Sequence, residues 1–114
     1  MEAVLQITVT VPNLPSSLAV VGDKLRAADV NISAISCTEG NPATLVHLIV
    51  SDPETAKIVL AEVGHVSARQ VIAATMKNKP GAIAGIGRAC AAAGVIIKNI
   101  FATTCGKEAM VYID

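Results

Sequence analysis

The chain has 114 residues, which is enough for one compact domain or for two very small ones fused together. Its residues are 53% hydrophobic and 16% charged, so the composition predicts a buried core and excludes a disordered chain. Nine basic and nine acidic residues cancel, and Phe101 and Tyr112 are the only aromatic residues, which argues against nucleic-acid binding through a basic surface or through base stacking.

The first half of the chain predicts the order strand, helix, strand, strand, helix. Residues 4–11 alternate between apolar and polar side chains, which indicates a half-buried strand with one polar face of Gln6, Thr8 and Thr10. Pro15 with Ser16 or Ser17 can begin a helix whose apolar residues follow at helical spacing: Leu18, Val21, Leu25 and Ala28. Strands are expected over 30–38 and 44–50, joined by a turn at residues 39–42.

A second helix is expected after Ser51 or Asp52, because either residue can cap a helix that has proline in its first turn. Its buried face is predicted to carry Ile58, Val59 and Val63, with Gly64 ending it. A strand over residues 66–76 then closes one unit and can also open a second. The remaining residues predict a helix over 81–93 and strands over 95–102 and 109–113.

The two halves of the chain repeat each other at an offset of 65 residues. Between the pairs Ile7/Ile72 and Ile49/Asp114, 13 of 43 positions are identical, including asparagine, proline and glycine positions that composition alone does not select. Such self-similarity indicates a duplicated supersecondary unit. We therefore predict two repeats, over residues 1–71 and 72–114, the second of them incomplete.

Each complete repeat reads as βαββαβ, so the predicted fold class is α+β with two ferredoxin-like repeats, antiparallel sheets with helices on one face, and a second repeat reduced to βαββ. This fold serves many functions, so the motifs must discriminate between them. The chain lacks the strand aromatics of RNA-recognition domains and the CxxC of metal-chaperone domains. The anion-clamping arginine that acylphosphatase-like enzymes need is also missing, because Arg26 and Arg88 lie well inside their predicted helices.

Four segments carry a family resemblance: NLPSSL at 13–18 with DVNISAI at 29–35, and NKPGAI at 78–83 with GVIIKNI at 94–100. They resemble the ACT domain, a regulatory module that binds small molecules, and in particular small proteins made of two ACT units in tandem. The resemblance implies a non-catalytic sensor of an amino acid or related metabolite, acting on a partner such as a biosynthetic enzyme. It implies no cofactor.

The resemblance also implies an effector site where the turn before the first helix meets the start of the second strand, commonly at an interface between units. The matching positions are the candidate ligand-binding residues: Asn13, Leu14, Pro15, Ser16, Asn31, Ile32, Asn78, Lys79, Pro80 and Gly81. The first unit has Ser16 and Asp29 where the family favours glycine, and the second has Ile96 in place of asparagine. Since neither unit keeps the whole pattern, we expect the ligand at a junction to which two units contribute.

The chemistry of the turn suits an amino-acid ligand. A helix N-terminus offers unpaired N–H groups and a positive dipole end to a carboxylate, and the asparagine amides can bond the polar groups of a zwitterion. A purely structural interpretation also stays open, in which Asn13 and Asn78 only cap their turns. A structural interpretation also stands for Asn31, as a polar residue at a sheet surface, and for Lys77 and Lys79, as a solvated strand end.

No catalytic set and no metal site can be assembled from the sequence. His47 and His65 lack metal-ligand spacing, and the three cysteines form no CxxC pair. Unpaired cysteines and the absence of a basic leader or a long apolar run predict a cytoplasmic protein without membrane contact. The alternative function is an ACT-type oligomerisation scaffold that has lost its ligand.

We also expect a homodimer. The net charge is −4 over residues 1–65 (three bases and seven acids) and +4 over residues 66–114 (six bases and two acids), which favours contact between unlike units. A second repeat without its last helix is expected to expose apolar sheet around Ile97, Val111 and Ile113, and exposed apolar patches usually mark interfaces.

Overall fold

The computed structural model describes residues 2–40 and 42–114, apart from the side chain of Cys105. The predicted turn at residues 39–42 thus includes one residue, Asn41, that lies outside the described part. The described chain divides into two compact units, residues 5–69 and residues 70–114 together with residues 2–4. Nine elements follow each other in the order β1 (Glu2–Pro12), α1 (Ser17–Ala27), β2 (Ile32–Thr38), β3 (Ala43–Val50), α2 (Pro53–Leu60), β4 (His65–Lys77), α3 (Ala82–Ala92), β5 (Ile100–Cys105) and β6 (Glu108–Ile113).

The first unit has the strand order β2-β3-β1-β4. The pairings of β3 with β1 and with β2 are antiparallel, and they place Leu48 opposite both Ile7 and Ile35. One face of this sheet is covered by both helices, because the buried cluster joins β1 and β3 residues to Val21 and Leu25 of α1 and to Ala56 and Leu60 of α2. This half therefore has the ferredoxin-like βαββαβ arrangement that the sequence predicts.

The helix α2 turns a different face to the core than predicted. Ile58 is 73% exposed, whereas Ala56 and Leu60 are fully buried. Positions 56 and 60 lie four residues apart on one helix face, and position 58 points to the opposite side. Val59 and Val63 were also predicted on the buried face, and both side chains are partly buried against the core.

The start of α2 follows the predicted capping chemistry. The Thr55 amide donates to Asp52 Oδ1 at 3.2 Å, the Thr55 hydroxyl donates to Asp52 Oδ2 at 2.6 Å, and Pro53 occupies the first turn. These hydrogen bonds lower the pKa of the Asp52 carboxyl below its ordinary value, and the bond from the Thr55 side chain has a larger effect than the bond from the Thr55 backbone. The charged carboxylate is the better acceptor, so acid titration weakens this cap.

The second unit repeats the first at the predicted offset. Its strands are ordered β4-β6-β5, and Ile72 lies opposite Ile113 just as Ile7 lies opposite Leu48. Its elements β4, α3, β5 and β6 form the predicted βαββ repeat. The strand expected over 95–102 is displaced, however, and begins at Ile100. The Val95 amide donates to the Cys90 carbonyl at the end of the helix. Because this bond holds Val95 against the helix, the chain reaches the sheet only some residues later.

The second unit buries less apolar surface than the first. No residue of α3 is buried, and the large apolar side chains exposed in the described part of this unit are those of Ile72, Ile83, Val95, Ile96 and Ile100. The predicted exposure of Val111 is wrong: its side chain is fully buried, while Ile97 and Ile113 are half-buried. The uncovered apolar surface of this unit thus includes the helix and the segment after it.

The polar face of β1 is less exposed than its alternation predicts. Gln6 is only 1% exposed, and its Oε1 atom has no hydrogen-bond partner among the described residues. Its Nε2 atom lies 3.5 Å from His47 Nδ1, and the Thr8 hydroxyl lies 2.9 Å from the same ring nitrogen. His47 is half-buried, and its ring nitrogen is hydrogen-bonded across the β1–β3 pair.

Candidate functional site

The turn between β1 and α1 is held against the β2–β3 hairpin by Asn13. The Asn13 side chain donates to Glu39 Oε2 at 3.2 Å and accepts from the Thr44 hydroxyl at 3.2 Å, and its amide donates to the Pro42 carbonyl at 3.3 Å. Both polar atoms of the Asn13 carboxamide are therefore hydrogen-bonded within its own unit, as the structural interpretation of this residue expects.

Asn78 holds the equivalent turn of the second unit against the β5–β6 hairpin. Its amide donates to the Lys107 carbonyl at 2.8 Å, which is the counterpart of the Asn13–Pro42 bond at the 65-residue offset. Its side-chain Nδ2 donates to the Gly106 carbonyl at 3.1 Å. Both asparagines thus brace a turn against the neighbouring hairpin.

The two turns differ in type although both place proline at the second position. The Ser17 amide bonds to the Leu14 carbonyl, and Ser16 has φ −86° and ψ −9°, which defines a type I turn. The Ala82 amide bonds to the Lys79 carbonyl, and Gly81 has φ 91° and ψ −10°, which defines a type II turn. The middle peptide faces opposite sides in these two types, so Ser16 and Gly81 do not offer their N–H groups in the same direction.

We expect Gly81→Ala to lower the free energy of unfolding by about 1–2 kcal/mol, because a side chain is strained at positive φ. A Cβ atom there would meet no other atom within 4 Å, so crowding adds nothing to this cost. Ser16→Gly is the matched control and should change stability by only a few tenths of a kcal/mol. Urea denaturation of both variants measures the difference, and equal losses would contradict the assignment of two turn types.

Asn31 and Ile32 lie at the start of β2. The Asn31 amide donates to the Ser51 hydroxyl, and the Ser51 amide donates to the Asn31 carbonyl, both at 2.9 Å. These two bonds fix the backbone of Asn31, while its exposed carboxamide makes no hydrogen bond with any described residue. Among the three candidate asparagines, Asn31 is the one whose carboxamide makes no hydrogen bond within the described part of the chain.

A cavity of about 540 Å³ opens beside Asn31, at the end of α1. Leu25, Val30 and Ile32 give it an aliphatic floor, and Gly22, Arg26, Asp29 and Asn31 complete its wall. Its volume is within the range of small-molecule sites, and its lining is divided between aliphatic and polar side chains around an open mouth. Arg26, Asp29 and Gly22 were not predicted as site residues.

The β1–α1 turns face other cavities. Leu14 and Ser16 line one of about 280 Å³ together with Val20 and Val63, whereas Lys79 lines one of about 500 Å³ with Gly85 and Ile86. The structure therefore brings Asn31 and Ile32 together in one cavity, and Leu14 and Ser16 in another. Asn13, Pro15, Asn78, Pro80 and Gly81 line none of these three cavities.

Residues suited to other chemistries are dispersed. Within residues 2–40 and 42–114, no three His, Cys, Asp or Glu side chains come together as metal ligands. Cys37 is exposed and Cys90 half-buried, and both are free thiols, while the side chain of Cys105 lies outside the described part. No helix in the described ranges is both long and apolar enough to cross a bilayer.

A duplicated ferredoxin-like fold places the chain among the α+β domains built from two similar units. The family follows from the sequence: the model of the ACT domain pair matches residues 2–113. The chain therefore belongs to the ACT domain family, whose members are regulatory domains. None of the curated proteins matches it.

Several solved structures share the fold. Protein BT0572 of Bacteroides thetaiotaomicron is 26% identical, with a TM-score of 0.91 over 98% of this chain and 78% of that one. The ligand-free regulatory subunit of aspartate kinase from Thermus thermophilus is 19% identical, with a TM-score of 0.72 over 99% and 87%. The corresponding subunit from Thermus flavus is 19% identical, with a TM-score of 0.65 over 99% and 87%.

Proposed function

We propose that this protein is a non-catalytic sensor that binds an amino acid or a related small metabolite and transmits its occupancy to a partner. The observation that carries the proposal is the unpaired carboxamide of Asn31 at the rim of the 540 Å³ cavity, in a chain of the ACT family. A fixed backbone with a free amide side chain suits ligand binding, because the ligand replaces only water on that side chain.

The ligand-binding residues that we propose divide into two groups by their contacts. Asn31 and Ile32 contact the ligand directly. The two turns, which contain Asn13, Leu14, Pro15 and Ser16 or Asn78, Lys79, Pro80 and Gly81, present a helix N-terminus to a ligand carboxylate. Within the described residues, neither N-cap side chain of α1 or α3 makes a capping hydrogen bond, so the first-turn N–H groups beyond those of Ser17 and Ala82 are available. Asn13 and Asn78 act by holding these turns in place.

A thermal-shift panel of the proteinogenic amino acids tests the proposal. A ligand that binds only the folded chain stabilises it by about 2.7 kcal/mol at a hundredfold excess over its dissociation constant. Calorimetric titration of the Asn31→Ala variant should then show binding weaker by about 1.5–3 kcal/mol for each hydrogen bond lost to a charged ligand. Ser33→Ala, another exposed position two residues further on, is the control and should bind normally.

A homodimer is part of the proposal. The helix α3 has no buried residue, and Ile83 and Ile96 are 53% and 86% exposed, so a second copy would remove apolar surface from water. We expect light scattering to give twice the chain mass at micromolar concentration, and Ile96→Lys to shift the population towards monomer. A strict monomer for the unsubstituted chain would contradict this part.

The second candidate function is an oligomerisation scaffold without a ligand. The exposed apolar side chains of the second unit favour it, since they need a partner but no small molecule. A dimer that no amino acid stabilises in the panel would favour the scaffold over the sensor. A cytoplasmic location fits both functions, because Cys37 and Cys90 are free thiols. In either case the regulated or scaffolded partner would be a protein such as a biosynthetic enzyme.

A further inference from the structure

Two residues in the wall of the Asn31 cavity lower the stability of the fold. Gly22 lies in the interior of α1, where glycine costs about 0.5–1 kcal/mol relative to alanine. Asp29 has φ 59°, and among the described residues it is the only one other than glycine with positive φ. At the 65-residue offset, the second unit has Gly94 with φ 69°, which adopts this conformation without strain.

No contact within the described part of the first unit explains why position 22 is glycine or why position 29 is aspartate. A Cβ atom on Gly22 would meet no atom within 4 Å, so no close approach of another segment requires glycine at this position. The Asp29 carboxylate makes no hydrogen bond or ion pair with any described residue, and only its backbone amide is engaged, with the Arg26 carbonyl. Backbone strain that the fold does not use is a reason to look for a function outside it.

The charged groups at the rim are of opposite sign. Arg26 has Asp23 as its partner at 3.6 Å, with both side chains more than 70% exposed, so this ion pair is weak and leaves most guanidinium donors free. Asp29 and Arg26 therefore offer an acceptor and a donor beside the amide of Asn31, above the aliphatic floor. A zwitterion with an apolar or amphipathic side chain matches this arrangement.

We infer that Asp29 is a specificity-determining residue, whose carboxylate binds the α-ammonium group of the ligand, while Arg26 and Asn31 share the ligand carboxylate with the helix N-terminus of a turn from a neighbouring unit. The ligand side chain then lies on Ile32, above the buried side chains of Leu25 and Val30. Gly22 leaves room for it. This inference rests on the proposed function and adds to it that the cavity selects amino acids over carboxylic acids without the ammonium group.

The test compares two ligands in calorimetric titrations of the full chain. They are the amino acid that gives the largest shift in the panel and the α-hydroxy acid with the same side chain. Asp29→Asn removes the negative charge and keeps a residue that tolerates the left-handed conformation. We expect it to bind the amino acid about ten- to a hundredfold more weakly and the hydroxy acid within about twofold.

Two further variants separate charge from fold. Glu62→Gln removes an exposed carboxylate that neither lines the cavity nor pairs with Arg26, and it should bind both ligands within about twofold of the unsubstituted chain. Asp29→Gly should raise the unfolding temperature, because glycine fits φ 59°, and yet weaken amino-acid binding as Asp29→Asn does. A gain in stability with weaker binding is the signature of a residue retained for function.

Each outcome decides a different statement. Unchanged binding in Asp29→Asn, or an equal loss for the amino acid and the hydroxy acid, would overturn the role of Asp29 while leaving the proposed sensor intact. If no amino acid binds the unsubstituted chain, the proposed function fails and this inference fails with it. A loss confined to the amino acid supports both.

Discussion

Leu48→Ala is expected to lower the free energy of unfolding of the first unit by about 2–5 kcal/mol. Leu48 is fully buried in β3, between Ile7 of β1 and Ile35 of β2, so truncation leaves a cavity lined by side chains that paired strands hold in place. A loss of this size is a large part of the 5–15 kcal/mol that stabilises an ordinary domain.

Leu45→Ala is the matched control, since Leu45 lies on the same strand and is 39% exposed. It should change stability by at most about 0.5–1 kcal/mol. Urea denaturation followed by far-ultraviolet circular dichroism measures both variants. Tyr112, the one tyrosine of a chain without tryptophan, lies in the second unit, and its fluorescence reports that unit separately. Equal midpoints for the two leucine variants would show that the core does not lie where the structure places it.

Much of the fold could be predicted because local patterns and the repeat agree. The alternation of residues 4–11 and the cap at Asp52 each depend on neighbours in sequence, and both appear in the structure. The side of α2 that is exposed could not be predicted from the residues of the helix alone. Ile58 is more apolar than Ala56, and only the packing of α2 on the sheet decides that the smaller side chain is the buried one.

The candidate site was predictable only in part. Asn31 could be found because it belongs to a motif at the start of a strand. Gly22, Arg26 and Asp29 join it in one cavity only when the end of α1 turns back towards β2, which the sequence does not show directly. One signal was present: the repeat aligns Asp29 with Gly94, and an aspartate at a position where the other copy has glycine indicates a strained backbone.

The burial of Gln6 had no local signal at all. It occupies the polar face of an alternating strand, and its counterpart at the 65-residue offset is Val71, which is also buried. A comparison of the two repeats would therefore have favoured burial at this position, whereas the alternation alone predicted exposure. The second repeat thus carries information about the first that neither carries alone.

Gly64→Ala is expected to destabilise the first unit by about 1–3 kcal/mol or more. A Cβ atom on Gly64 would overlap the carbonyl oxygen of Thr10, which belongs to the backbone of β1 and cannot rotate away as a side chain would. Thr10 is paired with Leu45 of β3, so relief of the overlap requires part of this pairing to shift.

Gly22→Ala makes the same chemical change in open space and should instead stabilise the chain by about 0.5–1 kcal/mol, because alanine is the better residue in a helix interior. For a unit of this size, each kcal/mol corresponds to a shift in unfolding temperature of about 4–8 °C. Thermal unfolding followed by circular dichroism should therefore move in opposite directions for the two variants. A shift of the same sign in both would mean that Gly64 does not approach β1 as closely as described, or that the interior of α1 needs glycine for a contact made within the fold.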